Sequence, residues 1–124
     1  MFVRQDIPLA QQVVQSNHAT FEVARRLQSH NLDEIPSCVV IGVPDKPALF
    51  RAVEKLRLNG IQHEVFYEPN DNLGLTAAAT APIAQEQRRA LSNYRLWREP
   101  ETEPMQANPA VPPQAYPAPM GELQ

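Results

Sequence analysis

Two polar runs carry the side chains that could form a site. The first lies in VRQDIPLAQQVVQSNHATFEVA, from Val3 to Ala24, and holds Arg4, Gln5, Asp6, Gln11, Gln15, Asn17 and His18. The second is YEPNDN, with Glu68, Asp71 and Asn72. Uncharged amides, carboxylates and an arginine donate and accept hydrogen bonds to a polar ligand. Gln11 and Gln15 lie one helical turn apart and share a face. A third group, Arg88, Arg89, Arg95 and Arg98, reads as a solvated face or as a phosphate-contacting edge. Each run also has a plain structural reading. Asp6 caps or turns the chain before Pro8, the glutamines form a solvated face, and EPNDN is turn chemistry. His18, three residues before Phe21, packs against an apolar stripe.

The elements that must position these groups follow from periodicity. MFVRQ predicts a short strand, and Pro8 opens a helix over about Leu9–Ser29, with Val13, Val14, Phe21, Ala24 and Leu27 near its apolar face. NLDEIPS reads as a loop, and CVVIGV as a strand buried on both faces. A second helix follows, capped by Asp45, with Pro47 in its first turn and Leu49, Phe50, Val53, Leu56 and Leu58 as apolar positions. Asn59-Gly60 closes it. QHEVFY is a third strand, LTAAATA a weak fourth, and a last helix runs from Pro82 to about Trp97. The order β-α-β-α-β-β-α predicts an α/β fold: a small four-stranded mixed sheet with helices on both faces. Such sheets place sites at loops leaving the strand ends, so the first two runs are candidates for one cleft.

Composition sets the boundary and excludes several classes. Six of 13 prolines are spread over residues 1–98 and seven lie in 99–124. The body carries all 11 Lys and Arg against 10 acidic residues, whereas the tail has four acidic residues and no basic one. We therefore read residues 1–98 as one domain and 99–124 as an acidic, proline-rich, polyproline-like, disordered tail. A near-neutral body argues against strong non-specific phosphate binding but leaves room for a local basic face. The single cysteine, Cys38, excludes an internal disulfide and is expected to be a small buried core residue. The three histidines lack metal-ligand spacing, so no metal and no cofactor is assigned. No glycine loop cradles phosphate, and no Ser-His-Asp arrangement can be argued. No apolar run reaches the roughly 18 residues of a membrane span, and no apolar leader is seen, so a cytoplasmic protein is expected.

FVRQDIPLAQQVVQSNHATFEVARRL resembles the opening of the archaeal and eukaryotic, second class of peptidyl-tRNA hydrolase. Val3, Arg4, Asp6, Gln15, His18 and Ala19 match that family's strand ending Val-Arg-x-Asp and its following helix with Gln and His-Ala. The likeness continues through PSCVVIGVPDKPALFRAVEKLRLNGIQHEVFYEPND and TAAATAPI, covering about residues 2–97. It implies hydrolysis of the ester between a peptide or aminoacyl group and the tRNA 3′ ribose, without a metal, often by a homodimer. By this resemblance Glu68 orients or activates water, with Asp71 as the second choice of base. Gln11, Gln15 and Asn72 donate to the ester and ribose, with Asp6, Asn17 and His18 beside them. Arg4 and the last arginines meet phosphates. The chain departs from the family where Gln11 replaces a lysine, where Glu68 replaces an aspartate, and where Asn70-Asp71-Asn72-Leu73 replaces Gly-x-Thr-Gln. No threonine follows until Thr76. A neutral donor is roughly half as strong as a charge-assisted one. Two functions therefore follow: a divergent ester hydrolase acting on tRNA, or a non-catalytic binding module on the same scaffold, whose tail recruits a protein partner.

Overall fold

Phe2 and Val3 face opposite sides of one strand, and each heads a separate apolar cluster. The computed structural model describes residues 1–27 and 36–99, so the expected end of the first helix near Ser29, most of the NLDEIPS loop and nearly all of the tail lie outside it. In chain order the elements are β1 (Phe2–Arg4), α1 (Leu9–Arg26), β2 (Ile41–Val43), α2 (Lys46–Leu58), β3 (His63–Glu68), β4 (Gly74–Thr80) and α3 (Gln85–Arg88). The four strands form one mixed sheet in the order β2-β1-β4-β3. β1 pairs parallel with β2 and antiparallel with β4, and β3 pairs antiparallel with β4. The fold is the α/β sheet that the periodicity predicts.

α2 covers one face. Leu49, Ala52 and Leu56 are fully buried against Phe2, Ile41, Val43, Leu75 and Ala78. Burying a leucine of this kind contributes about 1.5–3 kcal/mol. The expected cap is present: Asp45 Oδ1 accepts from the Ala48 N–H at 2.9 Å. α1 covers the other face, where Ala19 packs with Val3, Ala77 and Ala79. LTAAATA is not a weak strand. It becomes β4, a central strand buried from Leu75 to Ala79, because its small side chains let both helices dock closely.

Three expectations are corrected. The buried stripe of α1 is Gln12, Gln15 and Ala19, whereas Val13 is 57% and Phe21 73% exposed and Val14 also faces out. An amide is costly to bury only when unpaired, and here both glutamines are paired: Gln12 donates to the Ile7 carbonyl and accepts from the Trp97 indole, and Gln15 is held as described below. Hydrogen bonding thus decides the helix orientation over hydropathy. Second, CVVIGV is a strand only from Ile41, and Cys38 is exposed, since it precedes the register with β1. Third, the last helix stops at Arg88. One 3₁₀ turn, Arg89–Leu91, follows, and the chain then returns beside β2, with Leu96 bridged to Ile41 and the Trp97 N–H donating to the Val40 carbonyl at 2.8 Å. The aromatic anchors override the helical pattern. Tyr94 meets the Phe2 ring edge-on at 5.2 Å, and the Trp97 indole reaches Gln12 at 2.7 Å.

Candidate functional site

The N-terminal half of α1 and the end of β3 meet at one rim of the sheet. Gln15 is 1% exposed. Its Nε2 donates to Glu68 Oε2 at 3.0 Å and to Gln11 Oε1 at 3.2 Å, while its Oε1 accepts from the Thr76 hydroxyl at 2.8 Å. Glu68 Oε1 accepts from both the backbone N–H and the side-chain amide of Asn70, at 3.1 and 2.9 Å. A buried relay therefore runs from Thr76 through Gln15 to a carboxylate at the surface. The Gln15 hydrogen bond, then those from Asn70 and the charge of the nearby His18, hold the Glu68 carboxyl below its ordinary pKa of 4.5. His18 stacks on the Phe66 ring, centroids 4.4 Å apart and planes 16° from parallel.

The loop after Glu68 is bent by its own sequence. Asp71 and Asn72 adopt φ 57° and 54°, the left-handed region that Asp and Asn tolerate best among residues with a Cβ, and Gly74 follows at φ 66°. Both Asp71 and Asn72 are exposed, and neither side chain bonds a described residue. Asn17 is likewise exposed and projects from α1 one turn after Val13, away from the relay.

Arg4 and Asp6 do something else. The guanidinium grips Asp6 through two bonds of 2.9 Å, and its Nη1 donates to the carbonyls of Leu73 at 2.6 Å and Leu75 at 3.0 Å. The planar fork ties the exit of β1 to the entry of β4, and the Arg4 bond in turn holds the Asp6 carboxyl below its ordinary 3.8. With those donors used internally, Arg4 supports the rim rather than facing a ligand. Asp6 is the arginine's partner, and α1 begins without a side-chain cap.

The structure thus brings Gln11, Gln15, Glu68 and His18 together and leaves Asn17, Asp71 and Asn72 outside the relay. No family model matches the chain, and no curated protein matches it. Among the described residues no three His, Cys, Asp or Glu side chains gather as metal ligands would.

Thr76 is the residue that sequence reasoning passed over. Between Phe66 and Tyr67 the β3–β4 register shifts: Phe66 pairs with Ala77 but Tyr67 with Leu75, which leaves Thr76 as the extra, bulged residue. The bulge turns its hydroxyl toward α1, within 3.3 Å of the Phe66 carbonyl as well as on Gln15. A lone hydroxyl between Leu75 and a run of alanines was the available signal. Gln12 and Trp97 were missed as a pair, because the hydrogen bond between them spans 85 positions.

Proposed function

We propose that this chain binds the acylated 3′ end of a tRNA beside Gln11, Gln15 and Glu68 and hydrolyses the ester there. The observation that carries this reading is the buried Thr76–Gln15–Glu68 relay, which fixes a carboxylate in position at the surface. A carboxylate has about four acceptor sites. Three are occupied on Glu68, leaving one for the hydrogen of a water. With a lowered proton affinity, Glu68 suits orienting that water more than storing its proton. The oxygen of the water adds to the ester carbonyl, the carbonyl–ribose bond breaks, and the water's proton ends on the ribose oxygen. Gln11, whose Oε1 is held by Gln15, has its Nε2 left to donate to the developing oxyanion. The resemblance to the second class of peptidyl-tRNA hydrolases over residues 2–97 supports this reading, and the same likeness carries a homodimer with it. Because Gln11 brings no positive charge, turnover is expected about 10²–10³ below that of a site with a full donor set.

The test is release of free tRNA from peptidyl-tRNA and from aminoacyl-tRNA. Release above the buffer rate, abolished by Glu68→Ala and raised by Gln11→Lys, supports the reading. Turnover no faster than buffer removes it. The second reading is a binding module without chemistry, favoured by the neutral Gln11 and the weakly basic Glu68. It predicts tRNA retention on a filter, lost in Gln15→Ala, with no hydrolysis. Sedimentation velocity reads the oligomeric state in either case.

A further inference from the structure

On the face opposite α1, a hollow of about 570 Å³ opens between α2 and the β3–β4 turn. Its walls are Phe50, Pro47 and Tyr67, with Leu75 below and the cations Lys46 and Arg51 at its edge. Phe50 is 57% and Tyr67 62% exposed. Neither cation forms an ion pair among the described residues. Two exposed aromatics beside a proline and two positive charges fit an extended, proline-rich, acidic peptide. Proline rings pack on aromatic grooves at little entropic cost, because polyproline backbone is already ordered.

The chain carries such a segment. Residues 99–124 hold seven prolines, the run Asn108–Pro119 (NPAVPPQAYPAP), four glutamates and no basic residue. The Arg98 carbonyl accepts from Gln5 Nε2 at 2.9 Å, which places the last described residues at the exit of β1. The neighbouring Arg4 grips the carbonyls of Leu73 and Leu75, and an ideal Cβ at Gly74 would come within 3.0 Å of Lys46 Nζ. The Leu96–Ile41 bridge is antiparallel, so the stretch around Leu96 runs along the outer edge of β2, and the tail must cross about 15 Å of sheet to reach Tyr67 on β3. Nine residues from Glu99 to Asn108 can reach at most about 28 Å at 3.1 Å each, against a radius of gyration of about 13 Å for a domain of this size.

We propose that residues 99–124 dock in cis on the Phe50–Tyr67 hollow, with glutamates toward Lys46 and Arg51 and the Asn108–Pro119 prolines on the aromatics. Tethering gives the segment an effective concentration that a free peptide or a nucleic-acid strand must exceed to enter. The inference does not rest on ester hydrolysis; it concerns the other face of the sheet.

The test uses the full chain, ¹⁵N-labelled, with a nitroxide at Ala115→Cys in a Cys38→Ser background. Docking predicts paramagnetic broadening confined to amides around Lys46, Arg51, Tyr67 and Gly74, weakened by high salt and unchanged when the labelled chain is diluted into excess unlabelled chain. Phe50→Ser with Arg51→Glu, both at exposed positions, should cut that broadening about tenfold, the loss expected for one aromatic anchor and one charge. The unshifted amides of the remaining sheet report that the double variant is folded. Broadening that is absent or spread evenly overturns the proposal. So does broadening that disappears on dilution, which assigns the hollow to a second copy. Loss of tRNA retention in the double variant, with the nitroxide broadening unchanged, assigns it to nucleic acid and also overturns it.

Discussion

Gln15 and Glu68, 53 positions apart in the chain, are joined by a 3.0 Å hydrogen bond from a fully buried amide to a surface carboxylate. The amide is fixed from behind by Thr76, so the carboxylate inherits its orientation from the core rather than from the loop that carries it.

Replacing Gln15 by leucine should therefore be felt in two places. The Thr76 hydroxyl keeps only its longer bond to Phe66, and Glu68 keeps only Asn70. Leaving a buried polar group poorly paired costs about 1–3 kcal/mol, to be read as a lower urea midpoint. In the same variant the Glu68 carboxyl should titrate at higher pH by ¹³C NMR, because the largest cause of its depression is gone. An unmoved titration would show that Asn70 alone fixes the carboxylate.

Stability should fall in acid over a defined window. Glu68 and Asp6 both have folded pKa values below their ordinary 4.5 and 3.8, so the unfolded chain binds more protons across that interval and stability rises with pH through it. The contribution is complete above the ordinary values and is lost as pH drops through the folded ones. The groups facing Glu68 are Gln15, Asn70 and His18, and those facing Asp6 are Arg4 and Lys46. Glu68→Gln combined with Asp6→Asn should flatten the fall of melting temperature as pH drops below the ordinary 4.5 and 3.8 of these groups. The surface pairs of Glu22 with Arg25 and Arg26, and of Glu54 with Arg57, leave a small residual slope.

Arg4→Lys keeps the charge and loses the fork. A single ammonium cannot hold Asp6 and two carbonyls in that plane, so about 1.5–3 kcal/mol of stability should disappear. Asp6→Asn should cost less, because its side chain is 38% exposed and water replaces part of the pairing. Equal losses in the two variants would mean that the ion pair, not the grip on Leu73 and Leu75, holds the rim together.

Gly74→Ala should destabilise by about 1–2 kcal/mol, since a residue with a Cβ is strained at φ 66°. The added carbon would also press on Lys46 Nζ at 3.0 Å, moving a flexible side chain at the mouth of the Phe50–Tyr67 hollow. Chemical denaturation measures the first effect. The amide shift of Lys46 reports the second.

Residue types and spacing alone determined the element order, the Asp45 cap, and the candidate meeting of the Gln11–Gln15 helix with the Glu68 turn. These are local or alternating patterns, and backbone geometry converts them directly into structure. Only the tertiary structure decided that α1 buries Gln12 and Gln15 instead of Val13 and Phe21, that the chain near Trp97 abandons its helix, that Arg4 is spent on its own backbone, and that a bulge turns Thr76 inward. Each of these depends on a partner far away in sequence. A buried amide or guanidinium is stable only once that partner is present, and no local period encodes it.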